Sequence, residues 1–254
     1  MSRSKHWIGF DRRIELSWLD VAAAKVAEGA RQEQVQEQLL NFLQSLAYDP
    51  KESGSARPKT ARVILRIWGA VDPHLRHFNK SCAELFQTAE PPDRLGLHWA
   101  MTLAAYPYFF AHADVVGRLL GLQETVSARQ IRQRIMERWG ERSTVHRTSR
   151  HVVRTMVAWG VLEESGQGVY SRGLRRHVVS APVVLMLLMA VLYNASGDSM
   201  LLTQLVGHPA LFPFEFDVDA HDLAQSDALQ VAQEGVGTVM VGLSRRQGVV
   251  AIEA

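Results

Sequence analysis

Apolar residues recur three and four positions apart along the first 122 residues, a spacing that predicts a succession of amphipathic helices. Leu16, Leu19, Ala23 and Val26 give residues 14–27 one apolar face, and Gly29 ends that helix. Val35, Leu39, Leu40, Phe42, Leu43 and Leu46 do the same for residues 31–46. A stretch rich in Pro, Gly, Ser and charge, residues 49–59, reads as a loop, after which Thr60 is a candidate cap for a helix over 61–71. Residues 72–88 continue with a helical turn or two, and Pro91-Pro92 punctuates the chain. Helices are then expected over 93–105 and 111–122, with the aromatic run Tyr106–Phe110 between them read as core.

The pattern shortens and changes after Leu122. Ser127 is placed to cap a helix carrying Ile131, Ile135 and Trp139 on one side, and Gly140 is placed to end it. A second helix, expected to start near Thr148 or Ser149, carries Val152, Val153, Met156 and Val157 inward. Trp159-Gly160-Val161-Leu162 stops it, residues 163–168 form a turn, and Val169-Tyr170 returns as a strand. Helix, turn, helix and Gly-containing hairpin make the pattern of a winged helix-turn-helix. In such a unit the N-terminal residues of the second helix lie nearest the base edges of duplex DNA, which makes Arg147, Thr148, Ser149 and Arg150 the first candidate contacts. Arg154 follows on the same side, and Arg129, Arg132 and Arg172 complete the candidate set for this unit.

Charge concentrates in the same place. Residues 122–177 hold eleven Arg, five Glu and no Lys, a balance of +6 within a chain whose total is +2. Guanidinium groups suit bidentate contact with phosphate or guanine. The N-terminal helices over 14–71 are also compatible with a helix-turn-helix, with Arg57, Lys59, Arg62 and Arg66 around the start of its last helix as a second candidate nucleic-acid surface.

Residues 178–193 are nearly unbroken apolar sequence. Sixteen residues fall short of the roughly 20 that span a bilayer, and Pro182 suits a helix start, so a buried helix is expected, or an interface to a second copy or another subunit over 182–193. No Lys or Arg occurs from Val178 to Ser244, against seven Asp and Glu. Strands are expected over 214–218 and 237–243 with a helix over 220–233 between them, an acidic α+β tail suited to protein contacts.

Three segments follow: helical 1–121, winged 122–177, and an apolar helix with acidic tail over 178–254. The overall expectation is a mainly α protein, a helical bundle with a winged helix-turn-helix and a small α+β C-terminal region. One cysteine excludes an internal disulfide, and the N-terminus lacks the apolar core of a signal peptide, which fits a cytoplasmic location. No phosphate-cradling Gly loop or nucleophile elbow is present. His74, His77 and Cys82 fall short of a four-ligand zinc set, so neither metal nor cofactor is expected. Asp217, Asp219 and Asp222 are the nearest approach to a metal-dependent nuclease site, but Asp219 equally suits a helix N-cap.

Two segments, RLGLHWAMTLAAYPYFF at Arg94–Phe110 and TSRHVVRTMVAWGVLEE at Thr148–Glu164, resemble the BrxA proteins of bacterial BREX phage-defence systems. The second resembles that family's Arg-rich helix running into a Gly-x-Leu step. The resemblance covers roughly residues 10–172 and is one of element order and texture. It implies a non-catalytic DNA-binding component of a defence system. Together with the residue pattern it leads to the expectation of a DNA-binding protein that is not an enzyme, with double-stranded DNA as partner. A protein-docking adaptor is the alternative, and a nuclease a more distant one.

Overall fold

The computed structural model describes residues 8–45, 56–173, 176–177, 180–233 and 237–244. The chain is mainly helical, with small sheets in its second half. Helices α1 (Leu16–Ala27), α2 (Gln32–Ser45), α3 (Ala56–Ile67), α4 (Arg76–Phe86), α5 (Pro91–Ala105) and α6 (Pro107–Leu122) come first. They lead into strand β1 (Thr125–Ser127), helices α7 (Ala128–Trp139) and α8 (Ser143–Ala158), and strands β2 (Leu162–Gly166) and β3 (Val169–Arg172). After β4 (Arg176–His177) come α9 (Ala181–Leu192), β5 (Ser199–Leu201), α10 (Leu202–Val206), β6 (Phe214–Glu215), α11 (Ala220–Ala224), β7 (Leu229–Gln233) and β8 (Val239–Leu243).

Helix α5 is the axis of the molecule. Every residue from Leu95 to Ala105 is buried, and α1, α3, α4, α6 and α9 all pack on it. Trp99 sits at the centre of an aromatic cluster, with ring centroids 5.2 Å from Phe109, 6.0 Å from Trp159, 5.8 Å from Phe212 and 6.0 Å from Phe214. Its indole N–H donates to the Ala210 carbonyl at 3.0 Å, so a bulky apolar ring is buried without orphaning its one polar atom. Residues from all three sequence segments join this single continuous core. The N-terminal stretch before α1 stitches first to last: the Ile14 N–H donates to Thr155 Oγ1 at 3.0 Å, and Trp159 Nε1 donates to the Ile14 carbonyl at 3.0 Å.

Three β units are present among the described residues. Strands β1–β3–β2 form an antiparallel sheet with Val126 opposite Tyr170 and an irregularity between Glu164 and Gly166. Strands β4 and β6 pair in parallel, Arg176 opposite Phe214. Strands β5–β8–β7 make a second antiparallel sheet.

Several sequence expectations are corrected. The helix expected over 220–233 stops at Ala224; a turn held by Ser226 N–H to the Leu223 carbonyl and Leu229 N–H to the Ser226 carbonyl turns the chain into β7. Strand β7 then pairs with β8 along its length, a tertiary demand that overrides local helix spacing. Helix α3 starts at Ala56, ahead of Thr60, and α6 starts at Pro107, where the fixed proline φ suits a first helical turn. The expected loop over 49–59 lies largely outside the described residues. Helix α9 runs Ala181–Leu192, and its residues from Val183 to Leu192 are buried except for partly buried Leu185. Packing on α5, α4, α10 and β8 satisfies that apolar surface within the chain, so α9 offers no broad apolar face for a second copy. No helix among the described residues is long and apolar enough to cross a membrane.

Close approach between α6 and the 3-10 turn Pro209–Leu211 depends on Gly117, where an added Cβ would meet the Pro209 carbonyl oxygen at 1.9 Å. Gly121, one turn later, has open space around it. Gly117→Ala is therefore expected to lower unfolding free energy by about 2 kcal/mol or more, whereas Gly121→Ala raises it by a few tenths. Urea denaturation of the two variants measures both, and equal effects would contradict the packing described.

Candidate nucleic-acid interface

Local rules place the two helices of the central unit. The Ser127 side chain accepts from the Gln130 N–H, and Gln130 Oε1 accepts from the Ser127 N–H at 2.8 Å, a reciprocal cap that starts α7. Ile131, Ile135 and Trp139 face inward, and Gly140, with φ of 82°, ends the helix in a conformation that side chains resist. Helix α8 then starts at Ser143, five residues before the expected start at Thr148. Arg147 and Arg150 consequently lie in its second turn.

Between α7, α8 and the β2–β3 hairpin runs a groove of about 590 Å³. Arg132 comes from α7; His146, Arg147, Arg150, His151 and Arg154 come from α8; Glu164 and Tyr170 come from the hairpin. On α8 the exposed groups His146, Arg147, Arg150 and Arg154 share one face, opposite buried Val145, Val152 and Met156. Four of the candidate arginines therefore converge, although Arg132 and Arg154 are distant in sequence.

Thr148 and Ser149 do not join them as outward contacts. Thr148 is fully buried and Ser149 is 4% exposed. Each is turned toward α6 because a polar partner waits there. The Thr148 hydroxyl donates to the Tyr108 hydroxyl at 3.0 Å, which in turn donates to the Val145 carbonyl at 3.0 Å. Burial, partly offset by that Thr148 contact, pushes the Tyr108 phenol up to about 12. Ser149 contributes to the groove floor, and its hydroxyl donates to His112 Nε2 at 2.9 Å. His112 Nδ1 lies 2.8 Å from the Tyr108 carbonyl, which can only accept, so Nδ1 carries the proton and Nε2 is free to accept.

The remaining candidates lie elsewhere. Arg172 is a clamp: Nη1 donates to the Phe212 carbonyl at 3.1 Å and Nη2 to the Leu120 carbonyl at 3.3 Å, tying β3 to neighbouring elements instead of facing the groove. Arg129 sits outside it, on a hollow along α7 shared with Arg132, Glu137 and Glu141. Arg57, Lys59 and Arg62 belong to α3, and Arg62 Nη2 lies 3.8 Å from Asp11 Oδ2. That neighbour of Arg12 matters, because Arg12 acts electrostatically on His151 from the N-terminal stretch. Residue spacing gave no sign of Arg12, which is remote in sequence from α8.

The groove's titratable groups respond to its charge. Burial, followed by Arg12, holds His151 below the usual histidine range, with Arg154 and Arg147 adding to the effect and Asp11 opposing it. Burial and the Glu164 carboxylate raise the Tyr170 phenol, against Arg154 and Arg150. Beyond the groove, Asp219 accepts from the Asp222 N–H and caps α11, while Asp217 and Asp222 stand exposed. Cys82 is buried, which pushes its thiol up, and His74 bonds Asp72. Among the described residues no three His, Cys, Asp or Glu side chains are arranged to hold a metal ion. No family model, curated protein or solved structure matches the chain.

His112 makes the seat of α8 sensitive to acid. Burial drives its imidazole down to about 4, below the value near 6.5 expected in the unfolded chain. The neutral form's contribution to stability is thus complete above about pH 6.5 and is lost as pH falls toward 4. Buried His98, which accepts from Trp68 Nε1 at 3.1 Å, is shifted in the same direction. Wild-type unfolding free energy should drop by about 2 kcal/mol between pH 7.5 and 5 from His112 alone. The variant His112→Asn, less stable at pH 7.5, should show a shallower decline. Chemical denaturation at both pH values measures this, and equal slopes in the two proteins would contradict it.

Proposed function

We propose that this protein binds double-stranded DNA through the groove between α8 and the β2–β3 hairpin. The observation that carries the reading is the convergence of Arg132, Arg147, Arg150 and Arg154 on one groove. The order α6, β1, α7, α8, β2, β3, with sheet order β1–β3–β2, supports a winged helix-turn-helix. In that architecture α8 is the recognition helix, and its first two turns enter the major groove. Exposed Ser143, Thr144, His146 and Arg147 then approach the base edges, while Arg150 and Arg154 neutralise the phosphates beside the hairpin. The cations of α3, Lys59 and Arg62 among them, provide a second, separate set of backbone contacts.

The resemblance to BrxA proteins extends this reading to a non-catalytic component of a phage-defence system. Assembly with other subunits falls to surfaces other than α9. A nuclease reading gains nothing from Asp219, whose carboxylate is used to cap α11.

Duplex binding across a salt series tests the proposal. Counterion release by the four groove arginines alone predicts a slope of log K against log salt at least as steep as about −3.6, a loss of about 100-fold or more between 50 and 200 mM. Arg150→Ala with Arg154→Ala should reduce the slope by about 2 units and leave the thermal midpoint close to wild type, since both side chains are exposed. No retention of a 20-base-pair duplex at low salt would refute the reading.

A further inference from the structure

His151 differs from the arginines around it in being able to lose its charge. It stands half-buried on the wall of the groove. From its own helix it is faced by Arg147 and Arg154, and from the N-terminal stretch by Arg12 and Asp11. Arg132 of α7, Arg150 and His146 of α8, and Glu164 and Tyr170 of the hairpin line the same space. The cations outnumber the carboxylates, so the empty groove is a poor place for one more positive charge. A phosphodiester strand reverses that balance, because its oxygens offset the guanidinium field and accept a hydrogen bond from an imidazolium N–H.

We propose that His151 is a backbone-contacting residue that engages a bound phosphodiester only in its protonated form, so that filling the groove draws one proton onto its imidazole. This rests on the reading of the groove as a DNA-binding site. Two features support it beyond the direction of the imidazole's titration. Arg147, Arg150, Arg154 and Arg132 line the same groove as His151, and the stretch that carries Arg12, which also acts electrostatically on His151, is anchored at Ile14 to both Thr155 and Trp159. Ser149 and Thr148 fix the rotation of α8, which keeps residue 151 on the groove wall.

Linkage gives the sign. If the bound form takes up a proton, affinity rises as pH falls through the interval between the free and bound titration midpoints, by at most tenfold per pH unit. The two midpoints move apart by as much as the duplex favours the imidazolium, and the coupling is reciprocal.

The test uses the full chain and a 20-base-pair duplex at constant ionic strength. Dissociation constants are measured at pH 8, 7 and 6 for the wild type and for His151→Gln, and the His151 imidazole is titrated by nuclear magnetic resonance with and without duplex. The wild type should bind roughly 5- to 10-fold more tightly at pH 6 than at pH 8, and the His151 midpoint should rise by at least one pH unit when duplex is present. His151→Gln should lose most of the tightening between pH 8 and pH 6, each affinity being compared with the same variant's own value at pH 8. An unmoved His151 midpoint, or the same pH dependence in His151→Gln, overturns the assignment while leaving DNA binding intact. Absence of binding at every pH and at low salt overturns the groove reading itself, a distinguishable result.

Discussion

The arginine groove depends on the rotation at which α8 is seated on α6. Two hydrogen-bonded contacts beneath the helix set that rotation: Ser149 with His112, and Thr148 with Tyr108. Leaving a buried polar group unpaired costs about 1–3 kcal/mol, so a helix turned by one residue would orphan both groups on α6. The same rotation would press Arg147 or Arg150 toward the core, at a still higher desolvation cost. Polar contacts on the inner face thus determine which side chains the outer face presents. An inner face of Val and Met alone would hold α8 in place but specify its orientation less sharply.

That seat is rigid because the surrounding core is continuous. Trp99 brings α5, α6, the end of α8 and the segment around Phe212 together in one aromatic cluster. The stretch before α1 is bonded to Thr155 and Trp159, which ties the N-terminal part of the chain to the end of α8. This connection also anchors the stretch from which Arg12 acts electrostatically on His151. The cations facing His151 are therefore partly a product of long-range packing and only partly of the Arg-rich segment itself.

Much of the central unit was legible in the sequence for local reasons. Ser127 with Gln130, the spacing of Ile131, Ile135 and Trp139, and Gly140 all act within a few residues, and the cap and turn form where those signals stand. The Asp219 cap was legible on the same grounds. What failed was tertiary. Thr148 and Ser149 read as outward polar residues near a helix start, whereas partners 40 and 37 residues away draw them inward and α8 begins earlier. Arg172 read as one more basic contact, and its carbonyl partners at Phe212 and Leu120 are invisible to spacing. Leu229–Gln233 carried enough helical periodicity to mislead, until pairing with Val239–Leu243 made it a strand. Apolar α9 was correctly expected to be buried, but composition could not say that its own chain would cover it.

We propose that one face of this molecule, the groove of α8 and its hairpin, receives duplex DNA. Photo-cross-linking of a bromodeoxyuridine-substituted duplex to the intact protein, followed by peptide mapping, reads out which surface the duplex occupies. Adducts should concentrate in residues 143–154 of α8 and 164–170 of the hairpin, with few in the acidic segment 215–227. Adducts concentrated in that acidic segment, or spread without preference over the surface, would contradict it.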